Sequence, residues 1–257
     1  MMPQYGHLDL ATIAPRLPTL PDLDTHAWVL PAAETMQLLL ETTRAAADAL
    51  LPKAMHPAVP AYLAFTFTRC PESPVGPFTL ATMRLGSRAG AHPRGLVLGA
   101  YASTPEAAEG LRRGWGIPAL PAKVSLTRRH DRLMGTVVKD GTTVLDCALV
   151  NPEAISGSDV QLINWVTMVN APLDGATAPL LVQVDPKYTF HKAERGRPEV
   201  RTFDAAAWNA GDLRPTDPIV ATVATVDTDL PRIRFVMDPF KPVYQGTRRI
   251  RESRADE

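Results

Sequence analysis

Lys123 is the side chain of this sequence whose possible chemistry is most easily stated, because a deprotonated lysine amine attacks carbonyl carbons and forms imines. An ordinary lysine is protonated at neutral pH, so this chemistry needs a pKa that is lowered by burial or by a neighbouring cation. Arg112 and Arg113 precede Lys123 on the chain and could supply that cation. A solvent-facing lysine at the end of a strand is the simpler interpretation, and both interpretations stay open here.

A second group of side chains is suited to holding a small carbonyl compound by shape and hydrogen bonding. Thr79 carries a hydroxyl that could orient a carbonyl oxygen. The large side chains that could line a cavity for a hydrophobic molecule, although each is also typical of a core, are Phe78, Met83, Tyr101 and Trp115.

Motifs for other chemistries are missing from the sequence. The six histidines have no helical metal-binding spacing, and no phosphate loop, dinucleotide motif or Gly-x-Ser-x-Gly segment occurs. Cys70 and Cys147 are far apart, which is typical of buried thiols in a reducing compartment. We therefore expect no metal and no cofactor.

The composition is that of an ordinary globular protein, with 257 residues of which 45% are hydrophobic and 21% charged. Lys+Arg and Asp+Glu number 27 each, so no net field favours nucleic acid or an anionic membrane. No apolar run approaches the ~20 residues of a membrane span. These features predict a soluble cytoplasmic protein whose partner is a small-molecule substrate.

The pattern of apolar residues predicts many strands and few helices. Alternation in 62–68 predicts a half-buried strand, and Lys139-Asp140-Gly141 predicts a hairpin turn. A helix is expected over 42–50, and another from Ser103-Thr104-Pro105-Glu106 to about Gly114. The other expected strands are 35–40, 78–85, 94–102, 122–128, 132–138, 143–150, 179–190, 198–203, 218–226 and 232–237, with a looser connection over 151–178.

Strands without βαβ alternation favour an α+β fold that is predominantly antiparallel β. Proline-broken residues 1–32 are expected to form an N-terminal arm, residues 33–247 a single domain, and residues 248–257 a charged tail.

The segment Arg112-Arg113-Gly114-Trp115-Gly116-Ile117-Pro118-Ala119-Leu120 resembles the active-site strand of acetoacetate decarboxylases, Gly-Arg-Glu-x-Trp-Gly-Phe-Pro-Lys-Lys. In that family the first lysine forms the imine with the substrate, and the second is the neighbouring cation that lowers its pKa. Two further stretches are similar to the family in the same order: Glu41-Thr42 through Leu50-Leu51-Pro52, and Arg69-Cys70-Pro71-Glu72-Ser73 through Gly76-Pro77-Phe78-Thr79. The resemblance implies an acetoacetate-decarboxylase-like β-barrel or sheet core with a few flanking helices.

The resemblance also identifies departures at the family's working positions. Ala119 and Leu120 stand at the two lysine positions, and Leu80 stands at the position of the active-site glutamate. Joint replacement of three polar residues predicts a pocket made less polar, since a lone charge in a dry pocket costs several kcal/mol. The substrate-binding positions that the resemblance implies are therefore Phe78, Leu80, Met83, Tyr101, Arg112, Trp115, Ala119 and Leu120, with His26 and Trp28 from the amino-terminal arm.

These departures lead to a functional hypothesis with two alternatives. The leading one is an enzyme of this superfamily, lyase-like or a cyclase of secondary metabolism, that has lost imine-based decarboxylation. It would act on an apolar, polyketide-like carbonyl compound by positioning and hydrogen bonding, with cyclisation, dehydration or aldol-type chemistry. The alternatives are an imine-forming lyase that uses Lys123 as a relocated nucleophile, and a non-catalytic small-molecule-binding protein. The resemblance further implies a homo-oligomer.

Overall fold

The computed structural model describes residues 5–89 and 92–250 of the chain. Residues 1–4 of the expected arm and 251–257 of the expected tail lie outside the described residues.

Strands dominate the described chain. In chain order they are β1 (Trp28–Glu41), β2 (His56–Pro57), β3 (Tyr62–Cys70), β4 (Phe78–Ala89), β5 (His92–Ala102), β6 (Ala119–Pro121), β7 (Lys123–Arg129), β8 (Arg132–Lys139), β9 (Thr142–Ile155), β10 (Trp165–Leu173), β11 (Ala176–Val184), β12 (Lys187–Phe203), β13 (Pro218–Leu230), β14 (Phe235–Met237) and β15 (Thr247–Arg249). The helices are α1 (Leu10–Ile13), α2 (Arg44–Leu50), α3 (Pro105–Trp115) and α4 (Val243–Gly246), with 3-10 turns at Ala14–Arg16 and Gly157–Asp159.

All of these strands belong to one sheet, whose main path runs β15-β14-β11-β10-β5-β4-β3-β1-β13-β12-β9-β8-β7. Every pairing is antiparallel except those of β5 with β10 and with β6. The expected antiparallel α+β fold is therefore confirmed. The barrel alternative is wrong, because β15 and β7 end the hydrogen-bonded path and the sheet does not close.

Two hydrophobic cores lie on opposite sides of the central strands. The first core contains Phe65, Phe67 and Met83, and the second core contains Leu80 and Trp115. Successive side chains of a strand point to opposite faces, so residues of β4 alternate between the two cores.

Both faces of β3 are buried by the two cores. Its Phe65 and Phe67 enter the first core, whereas Thr66, on the other face, is only 4% exposed. The expectation of a half-buried strand is wrong, because the threonine face is also covered. The covered threonine face becomes part of an interior polar surface.

Several local predictions are confirmed. Thr104 caps α3 by accepting a hydrogen bond from the backbone N–H of Ala107, and Pro105 is the first helical residue. Asp140 and Gly141 have positive φ angles in the turn between β8 and β9, as a tight hairpin requires.

Other local predictions are wrong. The looser connection over 151–178 contains β10, and the expected strand 179–190 is two strands separated at Asp185 and Pro186. The irregular arm ends five residues early, because β1 starts at Trp28. Within residues 5–89 and 92–250, none of the helices is long and apolar enough to cross a bilayer.

Candidate functional site

The segment that follows α3 is fixed at its first residues by hydrogen bonds and close packing. Trp115 is fully buried, and its indole Nε1 donates to the carbonyl oxygen of Pro231 at 2.6 Å. Thr167 Oγ1 donates to the carbonyl oxygen of Trp115 at 2.6 Å. Gly116 ends the helix in the left-handed region, with φ +63°. The chain therefore enters the following segment in one defined direction.

The two positions that the sequence resemblance assigns to the family's lysines face different surroundings. Ala119 is fully buried in the second core, beside β5, where it pairs with Ala100. Leu120 is 41% exposed. Leu80 is buried in the same core as Ala119. The structure thus brings Ala119 and Leu80 into one apolar region and places Leu120 outside it.

The other residues that the sequence predicted for the site lie in different parts of the structure. Phe78 and Trp115 lie in the second core, and Trp28 packs against that core. Met83 and Tyr101 lie in the first core, on the opposite side of β4 and β5.

The remaining nominated residues lie at or near the surface. Lys123, Arg112 and His26 are exposed. Arg112 pairs with Glu109 one turn earlier on α3. Thr79 lines a surface hollow, and its backbone N–H donates to Ser103 Oγ at 2.8 Å.

A small interior cavity of about 20 Å³ lies against the second core. This volume is enough for a group the size of a water molecule. Its walls are Leu30, Thr35, Thr66, Thr68, Cys70, Phe78, Leu80, Arg84, Leu111, Leu162, Trp165, Tyr188, Thr228 and Leu230. Of the residues that the sequence predicted for the site, only Phe78 and Leu80 are among these walls, and the sequence resemblance assigns Leu80 to the position of the family's glutamate.

Arg84 is the charged group of this cavity, and sequence reasoning missed it. Its side chain is 2% exposed, and its guanidinium donates to the carbonyl oxygen of Ile163 and, at 3.2 Å, to Thr82 Oγ1. Its carbon Cζ lies 5.1 Å from the ring centroid of Trp165. The parity of β4 could have revealed it, because residue 84 shares a face with Phe78 and Leu80.

The electrostatics of Arg84 are unusual because its partners are neutral. Burial lowers its pKa to about 10, opposed by the nearby phenols of Tyr188 and Tyr62, so it remains a cation at neutral pH. Burial raises the pKa of Tyr188 to about 12, and burial also raises the pKa of Tyr62. Both phenols are therefore uncharged. In the described part of the chain, Arg84 has no carboxylate partner.

Three other polar atoms at the cavity walls lack a hydrogen-bond partner within the described residues. They are Thr66 Oγ1, Thr228 Oγ1 and Trp165 Nε1. Thr35 and Thr68 also line the cavity, from the neighbouring strands β1 and β3, and their Oγ1 atoms are hydrogen-bonded at 3.2 Å. Buried polar atoms normally find partners, so the three unpartnered atoms mark a site that a ligand or ordered water would complete.

A strap of residues 160–164, leading from β9 to β10, separates this cavity from the protein surface. The side-chain amide of Gln37 makes two hydrogen bonds to the backbone of this strap, one on each side of Leu162. It donates to the carbonyl oxygen of Gln161 at 3.0 Å and accepts from the backbone N–H of Ile163 at 3.2 Å. Leu162 lines both the cavity and an open groove of about 1000 Å³ on the outer side. In that groove, Arg94 and Asp185 form a bidentate ion pair.

No cluster of three or more metal-ligating side chains occurs in the parts of the chain that the structure covers, 5–89 and 92–250. Both cysteines are buried and unpaired by disulfide, as the sequence predicts. The site is therefore built from hydroxyls, an indole, a guanidinium, the thiol of Cys70 and apolar side chains.

Comparisons with known proteins give the context for this geometry. The chain is similar to the crystal structure of acetoacetate decarboxylase from Legionella pneumophila, with 19% identity over 81% of this chain and 86% of that chain and a TM-score of 0.71. It is similar to the enduracididine biosynthesis enzyme MppR complexed with the condensation product of pyruvate and imidazole 4-carboxaldehyde, with 15% identity over 81% and 88% of the two chains and a TM-score of 0.64. An acetoacetate decarboxylase-like enzyme from Sphingomonas wittichii RW1 matches with 14% identity over 82% and 92% and a TM-score of 0.63.

At these identities the solved structures show the fold alone. Among curated proteins, none matches the sequence. The family model described as acetoacetate decarboxylase (ADC) matches residues 16–240, which include β1 to β14. The chain therefore belongs to the acetoacetate decarboxylase family.

Proposed function

We propose that this protein is an enzyme that acts on a small carbonyl compound with a largely apolar body, and that it does so without a lysine imine. The observation that carries the proposal is the composition of the interior cavity. None of the described residues that line it is a lysine, and its functional groups are hydroxyls, an indole N–H, a guanidinium and the thiol of Cys70. Lys123 is exposed on β7 and is not a wall of this cavity.

Such groups suit catalysis by positioning and electrostatic stabilisation. Hydrogen-bond donors that are already aimed at a carbonyl oxygen stabilise the negative charge that develops there, and in a dry site one donor contributes about 3 kcal/mol. Holding two reacting groups together lowers the barrier further. Aldol-type condensation, dehydration and cyclisation all develop charge on a carbonyl oxygen, so these reaction types match the polar groups of the cavity best.

The fold relatives support the same class of chemistry. Solved structures of MppR are complexes with pyruvate and with a condensation product of pyruvate and an aldehyde. A carbonyl ligand is therefore within the range of this fold. These relatives support a small carbonyl compound as the class of substrate for this chain.

Imine trapping tests the proposal. The protein is incubated with pyruvate, acetoacetate and longer 2-oxo and 3-oxo acids in the presence of borohydride, and the intact mass is measured. We expect no adduct, because no lysine is among the described walls of the cavity. An adduct on any lysine would contradict the proposal. Loss of that adduct in Lys123→Ala would then favour the relocated nucleophile.

A separate measurement distinguishes an enzyme from a binding protein. Ligands that remain bound after purification are extracted and identified, and the purified protein is then incubated with them. Conversion of a carbonyl ligand is the expected result. Tight binding of a ligand that is recovered unchanged would favour the non-catalytic alternative. The expected homo-oligomer is tested by light scattering on the same sample.

A further inference from the structure

The buried charge of Arg84 needs an explanation that the fold alone does not give. An uncompensated charge in a protein interior costs several kcal/mol unless a partner neutralises it. Within the described residues, Arg84 donates only to neutral oxygens, those of Thr82 and Ile163. By contrast, the other buried arginine of this region, Arg94, is paired with the carboxylate of Asp185. Arg84 therefore lacks the carboxylate partner that Arg94 has.

The unpartnered polar atoms of the cavity around Arg84 share one property: they can all donate a hydrogen bond. A guanidinium and an indole N–H can only donate, and a hydroxyl can donate or accept. Thr66 Oγ1, Thr228 Oγ1 and Trp165 Nε1 are buried without partners, and all three residues line the same cavity as Arg84. The residues are less than a tenth exposed, at 4%, 5% and 7%. A cavity of donors around a cation is complementary to an anion that only accepts.

We propose that Arg84, the indole N–H of Trp165 and the hydroxyls of Thr66 and Thr228 form a buried anion site for the carboxylate of a small organic acid. The four residues come from β4, β10, β3 and β13, so the sheet brings together a site that no local sequence motif shows. This inference rests on the proposed function, because it names the acidic end of the same small-molecule substrate.

The size of the cavity defines how such a ligand would sit. A volume of about 20 Å³ holds one oxygen-sized group beside Arg84 and no complete substrate. Leu162 is the wall that the cavity shares with the outer groove. We expect the rest of the ligand to extend past Leu162 into that groove, which requires this side chain to move.

The test uses butyrate and its neutral isostere butyramide as probes, with binding measured by calorimetry and by ligand-observed NMR. Charge-assisted hydrogen bonds are roughly twice as strong as neutral ones, so the wild-type protein should bind butyrate at least ~10-fold more tightly than butyramide. Arg84→Met should abolish this preference, and Arg84→Lys should retain part of it. Trp165→Phe and Thr66→Val should each weaken butyrate binding severalfold while leaving butyramide binding nearly unchanged.

A matched control removes a positive charge elsewhere. Arg201 is an exposed arginine on β12 that pairs with Asp146, and Arg201→Met should keep the full preference for butyrate. Circular dichroism verifies that each variant is folded. If Arg84→Met does not fold, Trp165→Phe and Thr66→Val decide the question, because both keep the charge of Arg84 and Thr66→Val also keeps nearly the same side-chain volume.

Three outcomes would overturn the anion site. They are equal binding of butyrate and butyramide, an undiminished preference in Arg84→Met, or no binding of butyrate at concentrations well above the ~1 mM dissociation constant of a weak small-ligand complex. Each of these leaves the proposal of imine-free chemistry intact. Conversely, a borohydride-trapped lysine would contradict that proposal and leave the Arg84 site standing.

Discussion

The indole rings of Trp28 and Trp115 meet edge to face, with ring centroids 5.2 Å apart and ring planes at 86°. Trp28 is the first residue of β1 and Trp115 the last residue of α3, so this contact joins the start of that strand to the end of the helix. Aromatic pairs in this geometry contribute about 1 kcal/mol beyond the area they bury. The contact fixes where the chain turns towards Ala119.

Gly116→Ala should destabilise the protein by about 2 to 4 kcal/mol, measured by urea unfolding with tryptophan fluorescence. Gly116 has φ +63°, and a Cβ there would lie 1.9 Å from Cγ1 of Val169. Gly114 provides the control, because a Cβ there meets nothing within 4 Å. Gly114→Ala should leave the protein equally or more stable, by up to about 1 kcal/mol, since alanine favours the helix. Equal effects of the two substitutions would contradict this account.

Lysine should be tolerated at one of the two positions that the sequence resemblance assigns to the family's lysines, and not at the other. Ala119 is fully buried in an apolar core, so Ala119→Lys should lower the free energy of unfolding by more than about 2 kcal/mol. Leu120 is 41% exposed, so Leu120→Lys should change it by less than about 0.5 kcal/mol. Thermal and urea unfolding of both variants measure the difference. A reversed order would contradict the burial of Ala119 beside an exposed Leu120.

Two buried threonines of the same interior should respond in opposite ways to replacement by valine. Thr66 Oγ1 has no partner among the described residues, so Thr66→Val removes an unsatisfied hydroxyl and should be neutral or stabilising. Thr167 Oγ1 donates to the carbonyl oxygen of Trp115, so Thr167→Val should cost about 1 to 3 kcal/mol. The free energy of unfolding of each variant is the measurement. A large loss in Thr66→Val would mean that its hydroxyl has a structural partner.

Both cysteines should resist thiol reagents in the folded protein. Desolvation by burial raises the pKa of the Cys70 thiol to about 12. The same effect raises the pKa of the Cys147 thiol. A thiol whose pKa is raised on folding binds its proton more tightly in the folded state. Its contribution to stability is therefore complete below the unfolded pKa of about 8.5 and is lost as the pH rises towards about 12.

Ellman's reagent checks this prediction at pH about 8. The native protein should react at neither cysteine, and the unfolded protein at both. Unfolding measured at increasing alkaline pH should show a decline in stability that is smaller in Cys70→Ala. Rapid reaction of the native protein would contradict the burial of these thiols.

The sequence predicted the antiparallel sheet and α3 because their determinants are local. Thr104, Pro105 and Glu106 specify a helix start by capping and backbone restriction, whatever the surrounding fold. β10 was missed for a physical reason: its burial pattern is nearly continuous, so the alternation that identifies a half-exposed strand is lacking. The same reason explains the error on β3, where Thr66 is polar and nevertheless buried.

The candidate site was predicted only in part, because its residues are distant in sequence. Phe78 and Leu80 were found through the resemblance of one segment, and both line the cavity. Arg84 was missed, since an arginine within an apolar strand carries no motif. Trp165 and Thr228 join it only through the pairing of distant strands. Such convergence is a property of the folded sheet.

The alternation of β4 between two cores determines how this strand can change without loss of the fold. A single inserted or deleted residue in its middle would shift the frame of every later side chain, so that Arg84 would exchange faces with Met83 or Leu85. A charged group would then enter a core of phenylalanine and leucine. We therefore expect this wall to diverge by substitutions at fixed length, so that a new ligand preference arises at Phe78, Leu80 and Arg84 while the opposite face stays unaltered.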